Sequence, residues 1–181
     1  MKLFYAVDIP DKAIKRMIKE TSKLREEYPQ FAWVPKDNLH ITLHYLGELH
    51  SDKIDKIREK TERAIFDIEP TNLYAFGLDI FISTKIVIYI SFHKNKVVET
   101  LSSRLSAIHT PQEKRTFIPH LTIARWKVPS KQQYLHLKKK LHRTEITLEF
   151  PINKVHLYES IARPKFPLYK KVHTFELQRQ S

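Results

Sequence analysis

Two histidines carry the chemistry this chain offers. His40 and Thr42 stand in Asn38-Leu39-His40-Ile41-Thr42-Leu43-His44-Tyr45-Leu46-Gly47, and His120 and Thr122 in Phe117-Ile118-Pro119-His120-Leu121-Thr122-Ile123-Ala124-Arg125. Each stretch holds a His-x-Thr triplet followed by an apolar residue, and the histidines are 80 positions apart. Both alternate apolar and polar residues as half-buried strands do. Successive strand side chains point to opposite faces, so His40 shares a face with Thr42, and His120 with Thr122. Leu39, Ile41, Leu43, Leu121 and Ile123 then face a core. An imidazole with an unperturbed pKa of about 6.5 accepts and donates protons near pH 7. Two imidazoles on opposite sides of a phosphodiester would deprotonate the attacking hydroxyl or water and protonate the leaving oxygen. A threonine two residues along, roughly 6–7 Å away, would bring a hydroxyl to a non-bridging oxygen.

That scheme needs no metal and no cofactor, and none is expected. His44 invites a chelate with His40, since His-x-x-x-His binds metal on a helix. On a strand four residues span roughly 13 Å, too far for one ion.

The elements that must position these residues follow from apolar spacing. Residues 1–8 read as a strand, followed by a helix from Pro10 or Asp11 to about Glu27 with Ala13, Ile14, Met17, Ile18 and Leu24 on one face. Residues 31–34 are a short extended piece before the first His-x-Thr strand, which Gly47 closes. Ser51 caps a helix whose inner face is Ile54, Ile57, Thr61, Ala64 and Ile65. Two strands, 73–82 and 86–92, join through Ser83-Thr84-Lys85. A helix over 94–108 and a basic, turn-rich stretch at 110–116 lead to the second His-x-Thr strand. A basic helix spans 130–141, and 146–150, 154–160 and 169–177 are closing strands. This order predicts an α+β fold with a mixed sheet. Similar helix-containing segments around the two motifs suggest two related lobes. With no low-complexity linker, residues 1–181 are expected to form one bilobal domain.

Composition narrows the function classes. The 181 residues include 32 Lys+Arg against 20 Asp+Glu, a net charge of +12, which points to a polyanionic partner such as RNA. With no cysteine there is no disulfide, thiol nucleophile or Cys-type zinc site. Only two glycines occur, and no Gly-rich phosphate loop is present. No apolar run suits a signal peptide or a membrane span, so a cytoplasmic monomer without membrane contact is expected.

The paired His-x-Thr-apolar motifs resemble the signature of the 2H phosphoesterases, and within them the RNA 2′,3′-cyclic phosphodiesterases, once called 2′-5′ RNA ligases. Leu3-Phe4-Tyr5-Ala6-Val7-Asp8-Ile9-Pro10 is similar to that branch's opening strand. Trp33, Phe117, and Leu157-Tyr158-Glu159-Ser160 followed by Tyr169 fit too, so the resemblance runs from about residue 2 to about residue 177. It implies a bilobal fold of mixed or antiparallel sheets, helices on their outer faces and the active cleft between. It also implies that His40 is the proton donor and His120 the acceptor, giving a 2′-phosphate end.

Arg125 resembles a family arginine that neutralises the phosphate. Strict alternation sets it on the face away from His120, so a bend or bulge would be needed. Phe4 and Phe117 offer rings to stack on a base, although Phe4 equally suits the core. Tyr158 and Ser160 suit structural support. The basic run of Lys131, Lys138, Lys139, Lys140, His142 and Arg143 is either a solvated helix face or an RNA track, and residues 163–171 form a second basic segment placed to lie over the site.

The expected substrate is RNA ending in a 2′,3′-cyclic phosphate. Alternatives are a 2′-5′ RNA ligase, a phosphodiesterase of small cyclic or 2′-5′-linked nucleotides, and a non-catalytic RNA-binding domain.

Overall fold

The computed structural model describes residues 1–82, 84–109, 117–127 and 129–178. The chain begins with β1 (Lys2–Asp8), whose middle five residues are all buried. Pro10, with the φ of −60° that its ring imposes, then starts α1 (Asp11–Glu20), which buries Ala13, Ile14 and Met17. The single helix expected to reach Glu27 is interrupted. At Thr21 the hydroxyl donates to the Met17 carbonyl at 2.8 Å, and such back-bonding bends a helix. A separate α2 (Ser22–Glu27) follows and buries Leu24.

After the two-residue β2 (Ala32–Trp33) comes the first His-x-Thr strand, β3 (His40–Glu48). Gly47 does not close it but sits inside it at φ 77°, a conformation glycine adopts without strain. The pairing with β1 steps from Gly47 to Tyr45, leaving Leu46 as an extra residue. Ser51 does not cap with its side chain. A single 3₁₀ turn, Ser51–Lys53, leads into α3 (Ile54–Ile65) instead.

β4 (Thr71–Ile82) and β5 (Lys85–Phe92) form the expected hairpin, whose Ser83 lies outside the described residues. The expected turn-rich stretch at 110–116, between α4 (Lys96–His109) and β6 (His120–Lys127), is also outside them. Ser130 and Gln133 form a capping box that starts α5 (Lys131–His142). The chain closes with β7 (Glu149–Ile152), β8 (Lys154–Ile161) and β9 (Leu168–Glu176). The strand expected at 146–150 therefore begins three residues later, although Ile146 and Leu148 are buried before it.

The strands form two sheets, in the orders β3-β1-β8-β9 and β2-β6-β5-β4-β7. Among the described residues every pairing is antiparallel, not mixed. Each sheet has one helical layer. α4 lies on β3, where the Ser102 hydroxyl donates to the Leu43 carbonyl at 2.7 Å, and α3 packs on α4 and reaches β1 through Thr61, which meets the Tyr5 hydroxyl at 2.5 Å. α5 packs on β4 of the other sheet. α1 and α2 are tied to that side by Glu20 accepting from the Thr147 amide at 3.1 Å and by Lys140 donating to Glu27 at 2.5 Å.

One apolar cluster runs through both layers and includes Ile41, Leu121 and Ile123, none of them exposed. Each fully buried aliphatic side chain of this kind contributes about 1.5–3 kcal/mol. β3 is the edge of its sheet, and only β2 lies outside β6 in the other, so the two His-x-Thr strands meet where the sheets meet.

Candidate active site

Both His-x-Thr strands carry a bulge at the same place. Against β1, Ala6 faces Thr42 and Tyr5 faces His44, so Leu43 is the extra residue. Against β5, Tyr89 faces Thr122 and Ile88 faces Ala124, so Ile123 is the extra residue. A bulge shifts the alternation by one. Ile123 and Ala124 are accordingly both buried, and Arg125 returns to the open face that holds His120 and Thr122. In the same way Tyr45, which is 68% exposed, joins His40 and Thr42. Its hydroxyl oxygen lies 3.4 Å from that of Thr42. The same count turns His44 inward.

The two imidazoles are oriented alike. His40 Nδ1 lies 2.8 Å from the Asn38 carbonyl, and His120 Nδ1 lies 2.8 Å from the Ile118 carbonyl. A carbonyl only accepts, so each Nδ1 carries the proton and each Nε2 is left for a reaction partner. At rest the Thr42 hydroxyl donates to His40 Nε2 at 3.0 Å. Burial depresses the His40 pKa, and the charges of Arg125 and His120 add to that. The Asn38 carbonyl and Asp8 pull the other way without prevailing. Arg125 and His120 thus both act electrostatically on His40 across the junction of the sheets.

Aromatic rings hold the first imidazole. Phe4 has its centroid 5.1 Å from His40, and Tyr169 meets His40 edge-on at 5.0 Å. Phe4 also stacks on Tyr158 at 5.5 Å and touches Tyr45 and Tyr169. At 2% exposure Phe4 has no face left for a nucleobase, so the base-stacking role expected of it is corrected to packing behind His40. The Tyr158 hydroxyl donates to Asp8 at 2.6 Å, and Lys171 donates to the same carboxylate at 3.0 Å. Burial alone would push Asp8 up. The hydrogen bonds from Tyr158 and Lys171, with the charges of His156 and Lys171, outweigh it and hold the carboxyl below its ordinary value. Burial and then Asp8 raise the Tyr158 phenol.

A cavity of about 180 Å³ opens beside His40, lined among others by Asp8, Lys36, Asp37, Tyr158 and Tyr169. Asn38 donates to the Pro167 carbonyl at 2.7 Å, which brings part of the 163–171 segment to this side of His40.

Around His120 the support differs. Phe81 stacks on Tyr89 at 4.0 Å, and both rings meet His120 edge-on, at 5.1 and 5.6 Å. Phe117 is half-buried against the core, and its ring is in none of the aromatic contacts around His120. Tyr45, Phe81, Tyr89 and Tyr169 were not singled out as site residues by sequence reasoning. For Tyr45 a signal existed in its spacing, since it follows Thr42 by three positions as Arg125 follows Thr122. Among the described residues no group of three or more His, Cys, Asp or Glu side chains is placed to hold a metal ion.

Two antiparallel sheets that bring paired His-x-Thr strands together define the 2H phosphoesterase architecture. Residues 9–163 match the 2'-5' RNA ligase superfamily, and the chain belongs to it. Among curated relatives, the RNA 2',3'-cyclic phosphodiesterase of Methanocaldococcus jannaschii is 30% identical over 95% of this chain and 98% of its own length. The protein of that name from Archaeoglobus fulgidus is 28% identical over 97% of this chain and 100% of its own. Of the solved structures, a Thermus thermophilus protein superposes with a TM-score of 0.76 at 25% identity, covering 98% of both chains. E. coli LigT in apo form, at 19% identity and 98% coverage of both chains, shares the fold with a TM-score of 0.73.

Proposed function

We propose that this chain hydrolyses RNA 2′,3′-cyclic phosphate ends to 2′-phosphomonoesters by a two-histidine, metal-independent mechanism. The observation that carries the reading is the matched pair of imidazoles, each with Nδ1–H on a main-chain carbonyl two residues back and Nε2 left for proton transfer. A neutral His120 takes a proton from water as the water oxygen attacks phosphorus. The bond from phosphorus to O3′ breaks as protonated His40 passes its Nε2 proton to O3′. The products are a 2′-phosphate and a free 3′-hydroxyl. Thr42 and Thr122 donate to the non-bridging oxygens, and Arg125 offsets the charge gathering there.

The environment of His40 supports its role as the donor. A group held low in pKa is the stronger acid once protonated, and an arriving phosphate anion favours that protonated form. The names of the curated relatives support RNA ends as the substrate class. The net charge of +12 supports a polyanion. Residues 1–181 act as one bilobal domain, consistent with the single core that runs through both layers.

The test incubates the protein, in EDTA, with a short RNA ending in a 2′,3′-cyclic phosphate and maps the product. A 2′-phosphate made by wild type and by neither His40→Ala nor His120→Ala is expected. A 3′-phosphate would keep the histidine pair but reverse the leaving-group assignment, with O2′ departing instead of O3′. Turnover by wild type that stops in EDTA would overturn the metal-free mechanism.

A further inference from the structure

The open face of the five-stranded sheet continues beyond His120 and Thr122. Tyr89 stands beside Thr122, Val87 and then Phe81 stand across from Arg125, and Lys85 stands beside Lys127. The lysines are exposed direct cross-strand partners. Among the described residues neither they nor Arg125 takes part in an ion pair. Like charges placed directly opposite each other destabilise a sheet, and a polyanion laid across them removes that penalty. Phe81, partly exposed with Tyr89 stacked against it, adds a flat apolar surface between His120 and the lysines. Cations that track a backbone, next to rings on which bases stack, are what single-stranded nucleic acid requires.

We infer that single-stranded RNA lies along this face, with the base next to the reacting nucleotide on Phe81 and the preceding phosphates on Lys127 and Lys85. The inference rests on the phosphodiesterase reading and deepens it, since the substrate becomes an RNA end several nucleotides long. A 2′,3′-cyclic phosphate terminates the strand, so RNA extends from the site only in the 5′ direction. From His120 to Lys127 the strand β6 runs roughly 23 Å, at about 3.3 Å per residue, which accommodates a few nucleotides. The basic helix α5 is the competing track. It packs on β4 with Leu137 and Leu141 buried, which places it behind the sheet from His120. Its Lys140 is also engaged by Glu27.

The deciding experiment compares wild type with a Lys85→Glu, Lys127→Glu double variant and a Lys138→Glu, Lys139→Glu double variant. kcat/KM is measured for an octamer ending in a 2′,3′-cyclic phosphate and for a mononucleoside 2′,3′-cyclic phosphate. Fluorescence anisotropy with a labelled single-stranded octamer gives the salt dependence of binding. The sheet variant should lower the octamer-to-mononucleoside ratio at least tenfold. Its log–log salt slope should flatten by about 1.4, at roughly 0.7 for each single-strand phosphate that a lysine no longer neutralises. The α5 variant should leave both readings unchanged.

An unchanged sheet variant, or a loss produced by the α5 variant instead, overturns the track. Equal affinity for a duplex, lowered equally by the sheet variant, overturns the single-strand assignment. If wild type hydrolyses neither substrate, the phosphodiesterase reading fails by itself, and the anisotropy series alone decides the track.

Discussion

At the residue scale, the chemistry rests on which nitrogen each histidine offers. His40 and His120 use Nδ1 on main-chain carbonyls, so loss of either ring removes the group that presents Nε2 for proton transfer. We expect His40→Ala and His120→Ala each to lower kcat by about 10²–10⁴, the usual range for a general acid or base, with a lowered thermal midpoint for His40→Ala, whose ring packs on Phe4 and Tyr169, and little change for His120→Ala. Thr42→Ala and Thr122→Ala each lose a hydrogen bond to a charged oxygen, worth about 1.5–3 kcal/mol. Both should reduce kcat/KM by about tenfold or more in steady-state assays. The pH dependence has a definite sign. As the proposed acid, His40 must be protonated, and burial with the Arg125 and His120 charges holds its pKa below the ordinary 6.5. The alkaline limb of kcat/KM, which reports the free enzyme, should therefore set in below pH 6.5. Arg125→Ala removes one depressing charge and should move that limb to higher pH while lowering the rate. A limb that stays in place would show that the Arg125 charge does not reach His40.

At the element scale, the decisive features are the matched bulges at Leu43 and Ile123. Each adds one residue between the threonine and the residue three positions beyond it, which places Tyr45 and Arg125 on the working face. Deleting Ile123 removes the extra residue and leaves Arg125 two positions after Thr122, still on the working face, so catalysis should survive in the protein that folds, while the lost core side chain lowers stability. A deletion variant that folds but has lost its activity would contradict that geometry. Phe4 belongs to the same scale, since it is buried and packs against His40, Tyr45, Tyr158 and Tyr169. Phe4→Ala should destabilise by about 3–5 kcal/mol, as deletion of a buried aromatic ring generally does. Phe4→Leu retains most of the packing and should lower kcat more than it raises KM, because the imidazole loses its backing. Denaturant melts alongside kinetics separate the two effects.

At the scale of the whole molecule, the titrating groups set the acid limit of stability. Burial depresses His40 and His156, so the unfolded chain binds more protons than the folded one as pH falls below about 6.5. Asp8, held low by its hydrogen bonds and neighbouring charges against the effect of burial, adds the same sign below the ordinary carboxyl value of 3.8. Stability should be fully present above pH 7 and fall in two stages on acidification. Urea midpoints measured from pH 8 to pH 3 test this, and a midpoint that rises towards pH 5 would contradict it. What the amino-acid sequence by itself determined was local and periodic. Apolar alternation placed most strands, three-and-four spacing placed the helices, and the duplicated His-x-Thr triplets picked out the four side chains proposed to act on the phosphate. The kink at Thr21, the glycine inside β3 and the all-antiparallel pairing were not legible, since each depends on a hydrogen-bond partner that spacing does not name. The need for a bulge ahead of Arg125 was legible, but its occurrence, and its twin ahead of Tyr45, were decided by the neighbouring strands β5 and β1. Only tertiary structure brought Asp8, Phe4, Tyr158 and Tyr169 around His40, because β1, β8 and β9 come from opposite ends of the chain. Phe4 shows the physical reason. An aromatic residue in a strand has the same local pattern whether its ring meets solvent or four other rings, and burial is a property of what packs against it.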